Sequence, residues 1–203
     1  KELNGKKIKT VEVAVPAAVK RNTNKRQFAT RLDGAKLGGT TRVGTRLVTS
    51  LDSGDVLVFS LGEKGGLLRT QNKDAPTKGT LVTITFTQHG QLRCFDPSKK
   101  AEVYVADPDE VAAETGELGF DLVAEPVSWT AFGERLLRRQ GKLKSILMDP
   151  TFVVGIGPMY SDEVLFEAGL RYDREPSSLS TQEIRRLYRA MVEKVHDALK
   201  YNG

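Results

Sequence analysis

Cysteine and histidine are scarce in this 203-residue chain, which has one cysteine, Cys94, and two histidines. A single cysteine excludes a disulfide framework and a cysteine-based zinc site within the chain, and it fits a reducing, intracellular location such as the cytoplasm, nucleoid or nucleus. His89 and His196 are far apart and have no partners at metal-ligand spacing, so we interpret both as structural or surface residues. We therefore expect no metal ion and no cofactor.

Long apolar runs are also absent. No apolar stretch reaches the roughly 18 residues that a membrane-spanning helix needs, and the amino terminus is charged, so the sequence predicts neither a membrane span nor secretion. The length is sufficient for two compact lobes, each with its own core.

Acidic residues are scarce at one end of the chain. Lys and Arg outnumber Asp and Glu by 31 to 26 overall, but by 12 to 3 in residues 1–50. The rest of the chain therefore carries a net negative charge. This asymmetry is typical of a protein that binds a polyanion on one side, and a basic face that contacts only solvent is an equally good interpretation.

Short β-branched segments fill the first half of the chain. Turn-forming residues separate them at Asp52–Asp55, Gly65–Gly66 and His89–Gly90, and the pattern predicts an antiparallel β-sandwich. Asn22–Arg26 and Gln71–Gly79 are polar, and we expect loops there. The predicted strands are KTVEVAV, TRLVTSL, DVLVFSL, LVTITFT and AEVYVAD.

Helical periodicity replaces this pattern in the second half. Ser180 and Glu183 have the spacing of a capping box and predict the start of a long amphipathic helix. We therefore assign an α+β fold, with a β-sandwich lobe over residues 1–110 and an all-helical lobe over residues 111–203. The apolar positions at helical spacing are Trp129, Phe132, Leu136, Leu137, Leu143, Ile146, Leu147, Val164, Leu165, Ala168, Ile184, Leu187, Met191, Val192, Val195 and Leu199.

A Gly-Ile-Gly-Pro break separates two apolar, helix-like runs in LKSILMDPTFVVGIGPMYSDEVLFEAGL, residues 143–170. A helix that begins after Gly155 and Gly157 leaves its first backbone N–H groups unpaired, and its dipole favours an anion such as phosphate there. Lys144 on the preceding helix and Tyr160 just after the break would add side-chain contacts. A tight corner between two helices, without a ligand, explains the same spacing equally well.

This segment, followed by REPSSLS, resembles the helix-two-turn-helix element of the formamidopyrimidine-DNA glycosylase and endonuclease VIII family. The resemblance extends over nearly the whole chain through LNGKKI, LDSGDVLVFSLGEKGGL, LRCFDPSKKAEVYV and LGFDLVAEPVSWTAFGERL. It implies a two-lobed protein that clamps damaged DNA, excises a base and then cleaves the strand. In that family an amino-terminal proline attacks the deoxyribose carbon, and a glutamate is its acid–base partner.

Several positions depart from the family pattern. The family's proline and glutamate would lie upstream of Lys1, so we expect no catalytic residue within this chain, and the family's sandwich lysine falls at Thr45. The apolar and aromatic side chains that replace an extruded base become Glu63 and Lys100. The usual asparagine of the glycine turn becomes Pro158. We expect that the family's carboxy-terminal finger is not included in this sequence.

We interpret the chain as a base-excision-repair protein of the bifunctional DNA glycosylase and abasic-site lyase family. A catalytically inactive DNA-binding relative is the first alternative, and an RNA-associated or structural nucleic-acid-binding module is the second. Activity is expected of the full-length protein, and the chain by itself is expected to be inactive. We expect a monomer whose partner is double-stranded DNA, damaged or abasic, and not a membrane. The candidate DNA-binding residues are Arg46, Lys99, Lys100, Lys144, Gly155, Gly157 and Tyr160.

Overall fold

A computed structural model describes residues 2–22, 24–62 and 64–201 of the chain. The chain divides into two compact units, Lys1–Thr115 and Gly116–Gly203. All the β-strands of the described residues lie in the first unit, and helices build the second. The α+β fold predicted from the sequence is therefore confirmed.

The first unit is an antiparallel β-sandwich. Its strands are β1 (Ile8–Val13), β2 (Leu37–Val43), β3 (Arg46–Leu51), β4 (Val56–Ser60), β5 (Gly66–Thr70), β6 (Thr80–Phe86), β7 (Gln91–Phe95) and β8 (Glu102–Ala106). One sheet has the order β1-β6-β7-β5 and the other β2-β3-β4-β8, and all neighbouring strands are antiparallel. Five of these strands, β1, β3, β4, β6 and β8, coincide with the predicted segments.

The sequence pattern misses the other three strands, of which β2 (LGGTTRV) and β5 (GLLRT) do not alternate between apolar and polar residues. β2 contains Gly38, where a Cβ atom would lie 2.3 Å from the hydroxyl oxygen of Ser50 on β3. β5 begins at a glycine. β7 buries Arg93, whose guanidinium donates hydrogen bonds to the carbonyl groups of Asp74 and Ala75 in the neighbouring loop. Close packing thus replaces the expected alternation in β2, and a buried arginine makes β7 untypical of a core strand.

The predicted loop Asn22–Arg26 includes the start of a helix. A 3-10 helix, Pro16–Asn22, is followed by α1, Lys25–Leu32. Asn24 caps α1, because its side-chain oxygen accepts hydrogen bonds at 3.0 Å from two backbone N–H groups of the first turn. Phe28 and Leu32, one turn apart, are fully buried in the sandwich core. The loop prediction was wrong at Asn22, which ends the 3-10 helix, and at residues 25 and 26, because polar residues on the exposed face of α1 dominate that segment.

A second helix, α2 (Pro108–Thr115), closes the first unit and shifts the boundary between the units from 110/111 to 115/116. Val111 on α2 packs in a buried cluster with Val56, Val58 and Tyr104. The three strand residues, Val56, Val58 and Tyr104, lie on the face of the sheet opposite the sandwich core, because alternate residues of a strand point to opposite faces. The helix stays with the sandwich because it covers this apolar outer face.

The second unit contains four α-helices within its described residues, α3 (Trp129–Leu137), α4 (Leu143–Leu147), α5 (Pro158–Ala168) and α6 (Thr181–Tyr201), and a 3-10 helix, Pro176–Ser178. Its core includes Phe120, Phe132, Phe152 and Tyr188, whose neighbouring ring centroids are 5.5 to 6.5 Å apart. No helix in the part of the chain that the structure describes has the length and apolar character needed to cross a membrane.

The predicted capping box opens α6. The backbone N–H of Ser180 donates to the Glu183 carboxylate at 2.8 Å, and the Glu183 N–H donates to the Ser180 hydroxyl at 3.3 Å. Met191 is fully buried on this helix, whereas Val192 and Leu199, which belong to the predicted apolar stripe, are 37% and 57% exposed. The apolar stripe is therefore buried along the first half of α6 and partly exposed along the second.

We expect Cys94 to resist thiol reagents as long as the first unit is folded. The thiol is buried on β7, and burial, with a smaller contribution from the charge of Asp96, raises its pKa to about 12. The reactive thiolate is therefore nearly absent at mildly alkaline pH. Labelling at increasing denaturant concentration should follow the unfolding transition measured by circular dichroism. A Leu68→Cys variant carries a thiol at an exposed position of β5 and should react at once. Equally fast labelling of Cys94 in the native protein would contradict this.

Candidate nucleic-acid interface

The break between α4 and α5 is an open turn. Gly155 has φ +86°, in the left-handed region that favours glycine, and Gly157 is the N-cap of α5. A Cβ atom added at either glycine would meet no heavy atom of the described residues within 4 Å, so the backbone faces open space. Ile156, between them, is buried in the core of the second unit and anchors the turn. Pro158 occupies the first helical position, where no N–H is needed.

The backbone N–H groups of this turn are available to a ligand. Among the described residues, no hydrogen bond uses the N–H of Gly155, Ile156 or Gly157, and no side chain caps α5. Unpaired N–H groups and the helix dipole together attract an anion to a helix amino terminus. The turn thus has the geometry of an anion site.

Lys144 and Tyr160 lie on the two helices that flank the turn. Lys144 is on α4, and its Nζ forms an ion pair at 2.6 Å with the carboxylate of Asp162 on α5. Tyr160 is in the first turn of α5 and packs, half buried, against the core of the second unit. The structure therefore brings Lys144, Gly155, Gly157 and Tyr160 to the junction of α4 and α5, with the charge of Lys144 shared with an acidic neighbour.

Thr45 and Arg46 lie at the hairpin between β2 and β3. Thr45 is exposed, and Arg46 forms an ion pair at 3.4 Å with the carboxylate of Glu114 on α2. Arg21 donates to the same carboxylate at 2.7 Å, and its guanidinium lies 4.4 Å from the Tyr104 ring centroid. The hydrogen bond from Arg21 is the main cause that holds the pKa of Glu114 below its ordinary value. Sequence reasoning missed this cluster because Arg21 and Arg46 are distant in sequence from Tyr104 and Glu114.

A buried carboxylate, Asp96, shapes the loop that carries Lys99 and Lys100. It accepts hydrogen bonds at 2.6 to 2.9 Å from the backbone N–H and hydroxyl of Ser98 and from the backbone N–H groups of Lys100 and Ala101. These bonds, that of the Ser98 hydroxyl first, lower the pKa of Asp96 to about 2 despite its burial. Lys99 has φ +57°, and both lysines are exposed. The loop thus presents two positive charges on a fixed backbone.

Glu63, the other position at which the resemblance places a base-replacing side chain, lies outside the described residues. His89 is in the turn between β6 and β7 with φ +65°, and His196 is on α6. Within residues 2–22, 24–62 and 64–201, no group of three or more His, Cys, Asp and Glu side chains has the arrangement of a metal site.

Comparison with known families agrees with both units of this structure. The family model described as the formamidopyrimidine-DNA glycosylase N-terminal domain matches residues 1–103, and the formamidopyrimidine-DNA glycosylase H2TH domain matches residues 118–203. The chain belongs to the formamidopyrimidine-DNA glycosylase family. The family predicted from the sequence motifs is therefore confirmed, and the open turn between α4 and α5 lies within the match to the H2TH domain.

Individual relatives span the whole chain. It is 28% identical to the formamidopyrimidine-DNA glycosylase of Pelotomaculum thermopropionicum, over 100% of this chain and 74% of that protein. It is 32% identical to a Bacillus cereus formamidopyrimidine-DNA glycosylase, over 99% and 73% respectively.

Solved structures give the same result. Lactococcus lactis Fpg in complex with abasic-site DNA has a TM-score of 0.87 at 26% identity, over 99% of this chain and 74% of that one. The Lactococcus lactis complex with Fapy-dG DNA has a TM-score of 0.86 at 26% identity, over 98% and 74%. The chain thus spans about three quarters of the length of these relatives.

We expect the Asp96→Asn variant to lose stability in a pH-dependent way. Because the pKa of Asp96 is lowered from an ordinary 3.8 to about 2 in the folded state, its ionised carboxylate stabilises the fold above the ordinary value. That contribution is lost as the pH falls towards about 2. The difference in Tm between the wild type and Asp96→Asn should therefore be largest near neutral pH and shrink below about pH 4.

The Ser98→Ala variant provides a second measurement for the same loop. It removes the hydroxyl donor that lowers the pKa of Asp96 most, so the pKa of Asp96 in the folded state should rise. The pH range over which the carboxylate loses its stabilising contribution should then end at a higher pH. A difference in Tm between Asp96→Asn and the wild type that stays constant between neutral and acidic pH would contradict this account.

Proposed function

We propose that the chain acts in DNA base-excision repair, as the two-lobed DNA-binding body of a bifunctional DNA glycosylase and abasic-site lyase. The observation that carries this proposal is the match of two family models, which together cover both lobes of the chain. The relatives are named formamidopyrimidine-DNA glycosylase, and the structural neighbours are complexes with abasic-site or Fapy-dG DNA. The ligand that we propose is therefore a DNA duplex with a damaged or missing base.

The turn between α4 and α5 is the proposed main contact with the DNA backbone. The unpaired N–H groups at Gly155 and Gly157 donate to a phosphate oxygen, and the dipole of α5 adds a favourable electrostatic interaction. Lys144 adds positive charge beside the turn, and Tyr160 offers a hydroxyl group from the first helical turn. These contacts hold the backbone without reading the bases.

Residues of the first unit supply further phosphate contacts in this proposal. Lys99 and Lys100 are exposed on a loop whose backbone is already ordered, so their contact with DNA orders side chains only. Arg46 is less available, because Glu114 neutralises part of its charge. We therefore expect a larger contribution from the two lysines than from Arg46.

The chain Lys1–Gly203, taken by itself, is proposed to bind DNA without forming the covalent intermediate of the family. Thr45, which occupies the position of the family's sandwich lysine, has no amine. Thr45 is also the specific observation that favours a second candidate, a DNA-binding relative that has lost base excision.

Binding of duplex DNA should depend steeply on salt. If the contacts are mainly with phosphates, the logarithm of the association constant should fall linearly with that of the salt concentration, by about 0.9 for each phosphate neutralised. The Lys144→Ala variant should reduce this slope by about 1 and weaken all duplex sequences equally. The measurement is fluorescence anisotropy at several salt concentrations.

A matched control for Lys144→Ala is Lys194→Ala. Lys194 also pairs with acidic residues of α5, Glu163 and Glu167, but its contacts are with the later turns of that helix. It should leave the salt slope nearly unchanged. Salt-independent affinity of the wild type, or a loss in Lys144→Ala that is selective for one base, would contradict the phosphate contact.

Borohydride trapping separates binding from catalysis. We expect the 203-residue chain to yield almost no covalent complex with abasic-site DNA, because Thr45, at the position of the family's sandwich lysine, has no amine and cannot form a Schiff base. Lactococcus lactis Fpg, a structural neighbour, is the positive control, and the yield is measured by gel electrophoresis. A yield comparable with that of the control would show that another amine of this chain acts as the nucleophile.

A further inference from the structure

The loop Asp149–Val154 precedes the glycine turn and has no regular hydrogen-bonding ladder, yet each of its backbone N–H groups has a partner. The N–H of Thr151 donates to the Asp149 carboxylate, and the N–H groups of Phe152 and Val153 donate to the Asp149 carbonyl. The N–H of Val154 donates to the carbonyl of Phe120 at 2.8 Å. The first N–H group along this loop that remains unpaired is therefore that of Gly155.

Two arginines hold one side of this loop. Arg135 on α3 donates to the carbonyl of Thr151 at 2.8 Å, and Arg139, just after α3, donates to the same carbonyl at 2.7 Å. Arg139 also donates to the hydroxyl of Thr151 at 3.0 Å and to the Asp149 carboxylate at 3.1 Å. We call Arg135 and Arg139 the arginine pair. Hydrogen bonds from a charged donor are the strong ones, so the Thr151 carbonyl is firmly placed.

The chain segment before α3 holds the other side. The N–H of Gly119 donates to the carbonyl of Pro150 at 2.8 Å, and the N–H of Phe120 donates to that of Phe152 at 2.9 Å. A Cβ atom at Gly119 would lie 2.1 Å from the Phe152 oxygen, so only glycine permits this approach. Three consecutive carbonyl groups, those of residues 150 to 152, thus have donors from outside the loop.

Further contacts fix the arginine pair itself. The guanidinium of Arg135 lies 4.8 Å from the Phe120 ring centroid, and that of Arg139 lies 5.8 Å from the Phe152 ring centroid. Burial alone would raise the pKa of Asp149, but hydrogen bonds from Thr151 and the charges of Arg139 and Arg135 outweigh burial and lower it. Asp149 is therefore a charged partner for Arg139.

We propose that Arg135 and Arg139 are positioning residues that set the direction of the Gly155 and Gly157 N–H groups towards a phosphate. This inference rests on the proposed function, because it assigns these arginines an indirect role at the same turn. Their N–H groups are engaged with the loop, so they act on the DNA through Thr151 and not as cations that contact it. Loss of this support frees the segment before Gly155, and the unpaired N–H groups then lose their common orientation.

Arg138 provides a matched control. It is the C-cap residue of α3, adjacent in sequence to Arg139, and within the described residues its side chain has no hydrogen bond or ion pair. Arg138→Gln and Arg139→Gln remove the same charge from the same end of α3, but only the second releases the loop. A difference between them therefore reports positioning and not net charge.

The test uses the full 203-residue chain and a duplex with a tetrahydrofuran abasic-site analogue. Arg139→Gln should weaken DNA binding about tenfold, which corresponds to the loss of one hydrogen bond from the turn to the charged phosphate. Arg138→Gln should weaken it only about twofold. Arg139→Lys keeps the charge but not the forked donation, so it should resemble Arg139→Gln. Arg135→Gln removes one donor to Thr151 and should have an intermediate effect, which keeps the test informative if Arg139→Gln unfolds.

Backbone amide NMR of the DNA-free protein gives a readout that is independent of binding. The Gly155 and Gly157 amide resonances should shift in Arg139→Gln and stay unchanged in Arg138→Gln, while those of α6 report an intact fold in both. Equal affinities of the two glutamine variants, or wild-type affinity of Arg139→Lys, would overturn the positioning role while leaving the proposed function intact. Failure of the wild type to bind this duplex would contradict the proposed function itself.

Discussion

The pairing of the backbone at Asp149–Val154 is the constraint on which the second unit depends. Phe152 and Val153 are fully buried there, so each polar group of an irregular stretch needs a partner inside the protein. The segment at residues 119–120 and the end of α3 supply those partners. Because the loop is fixed in this way, α4 and α5 cannot merge into one helix. The next N–H groups along the chain, at Gly155 and Gly157, remain free at the surface.

The same local motif occurs in both units. Asp96 and Asp149 are each followed by a proline and then by Ser98 or Thr151, and in both cases the aspartate accepts from the N–H and the hydroxyl of that third residue. Aspartate forms such turns readily, and the proline restricts the backbone between donor and acceptor. Each motif precedes a candidate DNA-binding segment. An Asp-Pro-Ser/Thr sequence is thus a visible signal for both loops.

Basic residues at the candidate interface are less available than their number suggests. Arg46 pairs with Glu114, and Lys144 pairs with Asp162, so part of the positive charge is neutralised within the protein. Lys99 and Lys100 are exposed on their loop. A phosphate that approaches Lys144 competes with Asp162, which makes the uncharged donors of the glycine turn relatively more important. Charge counting along the sequence does not detect this, because the acidic partners are distant in sequence.

The sequence by itself determined the class of fold, the antiparallel sandwich, the capping box at Ser180 and the family, because these depend on periodicity and on motifs whose residues are close together in the chain. It also located the glycine turn, since Gly155, Gly157 and Pro158 have local backbone requirements. Only the tertiary structure decided that α2 covers the outer face of a sheet, that Glu114 joins Arg21 to Arg46, and that Arg135 and Arg139 hold Thr151. These contacts join residues from separate elements, and their geometry follows from how buried surfaces pack and buried polar groups find donors, which no local pattern encodes.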